Sequence, residues 1–81
     1  MTKKIPERMI ELIATQLNVE ESQVLPDARF VEQLRADSLH LILLQIAIEG
    51  EFKLELTEEE AFGIVSLQTA LEFLASKGIK D

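Results

Sequence analysis

Apolar residues recur at helical spacing along most of the chain. Ile5, Met9, Leu12, Ile13 and Leu17 fall three or four positions apart, with Glu7, Arg8, Glu11 and Gln16 between them, which predicts a first helix. Pro6 suits its opening turn, where a missing N–H leaves no hydrogen bond unmade, and Asn18 suits a left-handed stop. Residues 19–36 carry Pro26 and several polar clusters, yet Val24, Leu25, Phe30, Val31 and Leu34 are spaced through them. The expectation is a long loop pinned to the core, with Asp27 capping a short helical turn through Leu34. Loops of this length in small domains tend to serve function.

Asp37 precedes a dense apolar run from Leu39 to Ile48. Its short carboxylate can cap the free N–H groups of the next turn, so a second helix is placed at 38–51. Thr57 and Glu60 have the spacing of a capping box and open a short third helix ending near Gly63. Ser66 caps a last helix with Leu67, Ala70, Leu71 and Leu74 on one face and Gly78 beyond its end. No strand alternation persists. The predicted fold is all-α: a small four-helix bundle with a long loop between helices 1 and 2 and a short third helix, forming one domain over residues 1–81.

The second helix is apolar nearly all round. Leu39, Ile42, Leu43 and Ile46 cannot share one face with Leu41, Leu44 and Ile48. Some of these side chains are therefore expected at the surface.

Composition narrows the function. The chain has 81 residues, enough for one small core and too few for a deep, enclosed active site. It holds 15 Asp plus Glu against 8 Lys plus Arg, a net charge of −7. Such a surface repels nucleic acid and anionic lipid and complements a basic protein surface. There is no Cys and only one His, so no disulfide, thiolate metal site or cysteine nucleophile is expected, and no metal site is assigned. The basic opening Met1-Thr2-Lys3-Lys4 has no apolar segment behind it and does not read as a secretory signal. The run from Leu39 to Ile48 is broken by His40 and Gln45 and is too short to span a bilayer. A cytoplasmic monomer without membrane insertion is the expectation.

The chemistry centres on Asp37-Ser38-Leu39. Ser38 stands at the start of the most apolar helix, where an attached phosphate would meet the positive end of the helix dipole. An arbitrary tripeptide of this kind could equally place an ordinary Ser in a first turn. A hydrolytic set of Ser38, His40 and Asp37 is disfavoured, because residues two apart on a helix point roughly 200° from each other.

From Ile5 to about Gly78 the chain resembles an acyl carrier protein. The resemblance rests on Phe30-Val31-Glu32-Gln33-Leu34 leading into Ala36-Asp37-Ser38-Leu39, then Glu49-Gly50-Glu51-Phe52, an acidic third segment and a capped final helix. It implies that Ser38 receives a 4'-phosphopantetheine group from coenzyme A, added by a phosphopantetheinyl transferase. The thiol of that arm then carries acyl groups as thioesters to enzymes of fatty acid, lipid or polyketide synthesis. Such a carrier is not itself an enzyme. Asp37 and Leu39 belong to the attachment site. Leu44, Ile48 and Phe52 are implied to belong to the core and line the space for an acyl chain, and His40, Ile42, Leu43, Ile46, Glu49, Phe62 and Ile64 to meet partners. An aminoacyl or peptidyl carrier, or an unmodified helical adaptor, are the alternatives.

This chain departs from the family pattern at several points. Arg35 stands where a Gly is usual, and it could pair with the arm's phosphodiester, with Asp37 or with solvent. His40 and Leu43 replace residues that are often acidic, and Gly50 interrupts what is often a run of Glu. These departures suggest docking through apolar contact more than through acid-to-base steering. Finally, the acids between Glu49 and Glu60 do not follow the ligand intervals of a calcium loop. They read as a solvated face that also meets basic partner surfaces.

Overall fold

Residues 4–79 are described by a computed structural model of the chain. The opening residues Met1, Thr2 and Lys3, which entered the reading of the N-terminus, lie outside that range. Four α-helices follow one another: α1 (Ile5–Leu17), α2 (Ser38–Phe52), α3 (Glu58–Gly63) and α4 (Leu67–Ser76). No β-strand occurs among the described residues. One isolated bridge joins Arg29 to Ser66.

The helix limits follow from local chemistry. Pro6 sits in the first turn of α1, and Asn18 ends that helix at φ 56°, ψ 48°, a left-handed conformation that Asn tolerates better than most residues. At α3 the Thr57 N–H donates to Glu60 Oε1 at 3.0 Å, and the Glu60 N–H returns the bond to Thr57 Oγ1 at 3.1 Å. At α4, Thr69 Oγ1 accepts from the N–H groups of both Val65 and Ser66. Gly78 takes φ 81° beyond the last turn, and the Ile79 N–H closes that end on the Leu74 carbonyl at 2.9 Å.

α1 packs against both α2 and α4. Met9 and Ile13 of α1, Leu44 and Ile48 of α2 and Leu74 of α4 are almost wholly buried. Each such side chain contributes about 1.5–3 kcal/mol relative to leaving it in water. At the far end of α2, the Arg8 guanidinium donates to Glu51 Oε2 through Nε at 3.0 Å and Nη2 at 2.8 Å. The same group lies 4.9 Å from the centroid of the Phe52 ring, so α1 and α2 are tied by charge as well as by packing.

The long connection is ordered, in a form that differs from its expected one. Glu21–Gln23 makes a single 3₁₀ turn, held by the Gln23 side chain accepting from the Glu20 N–H at 3.0 Å. Asp27 caps no helix. Residues 30–34 form turns, because the Arg29 carbonyl accepts from both Gln33 and Leu34 while the Phe30 N–H donates across to Val65 at 2.9 Å. Val24, Phe30 and Leu34 are buried as anticipated, whereas Leu25 and Val31 are exposed. The Gln68 N–H reaches the Pro26 carbonyl at 3.0 Å. The loop is thus fastened to the α3–α4 junction by backbone hydrogen bonds that leave no trace in residue type.

Arg35 adopts φ 60°. For a residue with a Cβ this region costs roughly 1–2 kcal/mol, and Arg35 is exposed with no ion pair among the described residues that could offset it. Replacing it with Gly removes that cost and adds unfolded-state entropy of roughly 0.4–1 kcal/mol. Urea denaturation of Arg35→Gly is therefore expected to show a net gain of about 0.5–1 kcal/mol, and a loss of stability would contradict strain at this position.

Candidate functional site

The start of α2 is built by Asp37. Its Oδ1 accepts the His40 backbone N–H at 2.9 Å, satisfying a donor that the helix itself leaves open. His40 Nδ1 lies 2.9 Å from the same oxygen and 3.5 Å from the Asp37 N–H. One nitrogen cannot both donate to the carboxylate and accept from the amide, and the shorter separation assigns it as the donor. The Asp37 carboxyl is held below its ordinary value chiefly by the His40 backbone N–H, with desolvation opposing and the His40 charge, the Leu39 N–H and the His40 side chain adding to the lowering.

Ser38 follows as the first residue of α2, exposed, and its hydroxyl bonds to no other described residue. His40 faces Asp37, so the three side chains form no relay in which a base could take the Ser38 proton. The site instead offers an accessible hydroxyl on a capped helix end. Arg35, the cation expected near it, makes no ion pair with Asp37.

Ser38 stands on the rim of a groove of about 310 Å³. One wall is α2, through Leu41, Ile42 and Gln45; the others come from the 29–32 turn and from Ala61, Phe62, Ile64 and Val65. All the α2 members lie three, four or seven positions beyond Ser38, which places them on its own face of the helix. Reading along that face from Ser38 identifies Leu41 and Gln45, the two groove residues on α2 that were not among the expected site residues.

Leu44, Ile48 and Phe52 are in the core, as expected, and lie apart from the groove. They lie on the adjacent face of α2, in the core to which α1 contributes Met9 and Ile13, with the Phe52 ring beneath Arg8. Ile64, expected at a partner surface, is only 6% exposed. It closes the end of α3, its N–H bonded to the Ala61 carbonyl, and forms part of the groove wall.

The solvent-facing side of α2 is apolar. Leu39 is 62% exposed, Ile42 51%, Leu43 41% and Ile46 58%, and Phe62 of α3 reaches 83%. A set of this kind is the usual mark of an interaction surface. Glu49 is half-buried, and its Oε2 accepts the Leu56 N–H at 2.9 Å, so it latches the turn after α2 in place of facing outward. Other acids of the cluster are likewise engaged: Glu51 with Arg8, and Glu60 with Lys77 at 2.8 Å. The Lys77 ammonium, followed by the Thr57 N–H, lowers the Glu60 pKa.

The Asp37 cap makes a pH prediction. A depressed folded-state pKa contributes stability that is present above the unfolded value, near 3.8, and is lost as pH falls through the lower folded value. Asn can cap without titrating. The stability of wild type relative to Asp37→Asn, followed by thermal unfolding, is therefore expected to decline as the solution is acidified below about pH 4. A constant difference across that range would contradict it.

No helix among the described residues is long and apolar enough to cross a membrane. Residues 7–74 match the family model described as a phosphopantetheine attachment site. An exposed hydroxyl at a helix start, beside an apolar groove and without a catalytic base, accords with a domain that bears a prosthetic group and leaves the chemistry to other proteins. The chain belongs to the phosphopantetheine-binding carrier family: it is a carrier and not an enzyme, and its prosthetic group is 4'-phosphopantetheine.

Proposed function

We propose that Ser38 is the attachment point of 4'-phosphopantetheine and that the protein is an acyl carrier. The observation that carries this reading is the unbonded, exposed Ser38 hydroxyl on the rim of the groove. When attached, the group supplies the thiol on which acyl cargo is held as a thioester. The protein's own residues position and shelter. Asp37 fixes the first turn and thereby the direction of Ser38, and the N-terminal dipole of α2 favours the phosphate there. Phe30, Leu41, Ile42, Ile64 and Val65 offer an apolar lining that suits alkyl cargo better than an aminoacyl group with its charged amine.

A phosphopantetheinyl transferase is the first partner, and enzymes of fatty acid, lipid or polyketide synthesis in the cytoplasm are the later ones. Leu39, Ile42, Leu43, Ile46 and Phe62 form the docking face, with His40 at its edge beside the cap. Because α2 carries no acid from Ser38 to Ile48, this contact depends on apolar burial more than on charge.

Incubation with coenzyme A and a broad-specificity transferase is expected to raise the intact mass by one phosphopantetheinyl group, and Ser38→Ala to abolish the gain. A gain that survives Ser38→Ala would overturn the attachment point.

The docking face is tested by transferase affinity. Leu43→Glu is expected to weaken binding about tenfold, roughly 1.4 kcal/mol, while added salt changes the wild-type affinity little. Steep salt dependence with no effect of Leu43→Glu would oppose the apolar reading.

A further inference from the structure

One side chain in the groove is accounted for neither by packing nor by attachment. Gln45 lies seven residues beyond Ser38, which returns it to the same face of α2 about 10 Å further along the axis. It is half-buried in the groove wall, and its carboxamide has no hydrogen bond among the described residues. Its neighbours on the wall, Leu41 and Ile42, are apolar. Of the remaining polar groups that line the groove, Arg29 and Glu32 face each other at 3.6 Å. No buried side-chain polar atom among the described residues lacks a partner, so the Gln45 carboxamide reaches solvent at the groove and is open to a ligand laid along it.

We propose that Gln45 holds the prosthetic arm itself, its carboxamide pairing with an amide of the 4'-phosphopantetheine chain laid along the groove. This rests on Ser38 being the attachment point. A secondary amide offers one N–H and one carbonyl, and the primary carboxamide of Gln can answer both. Within the arm the amides come after the phosphate, so a partner two turns along the helix from Ser38 matches them and not the phosphate. Alkyl cargo has no group that would satisfy Gln45, which is why the arm and not the cargo is assigned to it. The groove then has two functions, with apolar surface for the cargo and a polar catch for the arm.

The test uses nitrogen-15-labelled full chain, apo and after conversion with coenzyme A and a transferase, with complete conversion verified by intact mass. The Gln45 side-chain NH₂ resonances are expected to shift on conversion and to show nuclear Overhauser contacts to methylene protons of the arm. In converted Gln45→Leu, contacts between the arm and the groove residues Leu41 and Ile42 are expected to be lost. Gln45 resonances that are identical in the apo and converted forms would overturn the proposal while leaving Ser38 attachment intact. A shift that arises only after the thiol is acylated would overturn it too, by assigning Gln45 to the cargo. Absence of the mass gain would remove both readings together.

Discussion

The packing of α2 on α1 is the contact on which the rest depends. Met9 and Ile13 belong to the buried core with Leu44 and Ile48, and Arg8 fastens the far end of α2 through Glu51 and the Phe52 ring. Those contacts fix the rotation of α2 about its own axis. Once Leu44 and Ile48 are turned inward, the face bearing Ser38, Leu41, Ile42 and Gln45 must border the 29–32 turn and α3. The stripe of Leu39, Leu43 and Ile46 must then face solvent. Position of the Ser38 hydroxyl, shape of the groove and exposure of the apolar stripe are three consequences of one helix–helix contact.

That rotation is what the sequence conceals. Helix ends were legible because each is written in local chemistry: Pro6 and Asn18 for α1, Asp37 for α2, the Thr57–Glu60 pair for α3, Ser66 and Gly78 for α4. An amphipathic helix also declares which side it buries, and α1 does so. α2 lacks a polar face, so periodicity cannot choose between Leu44 with Ile48 and Leu41 with Gln45 as the inner or groove-lining side. Ile64 was hidden for a related reason. It lies just beyond a short helix in which no residue is buried, and only the fold shows that the chain turns inward there.

The long connection failed differently. Val24, Phe30 and Leu34 could be recognised as anchors, but the bonds that shape residues 29–36 are between backbone groups: Phe30 to Val65, Gln68 to Pro26, and Ala36 back to Phe30. Main-chain pairing between distant segments carries no side-chain signature, so a capped turn at Asp27 looked as sound as the 3₁₀ turn that forms earlier. Arg35 is the exception that was visible. A Gly is usual at that position in the resembling family, and its φ of 60° supplies the steric reason. This chain accepts strain one residue before the Ala-Asp-Ser segment and retains the same entry into α2.

The charge of −7 also changes meaning once the acids are located. A surface rich in free carboxylates would steer basic partners from a distance, but Glu49, Glu51 and Glu60 are engaged within the protein, with the Leu56 N–H, Arg8 and Lys77. These acids brace the turn after α2, the α1–α2 contact and the end of α4 against α3. Along α2 itself the solvent face from Leu39 to Ile46 presents hydrocarbon and one imidazole already turned to Asp37. Net charge of this size opposes self-association by repulsion, whereas the exposed area next to Ser38 on α2 is mainly apolar. The two properties are separated in space: the braced acids gather at and beyond the C-terminal end of α2, and the exposed apolar side chains lie along the helix from Leu39 to Ile46.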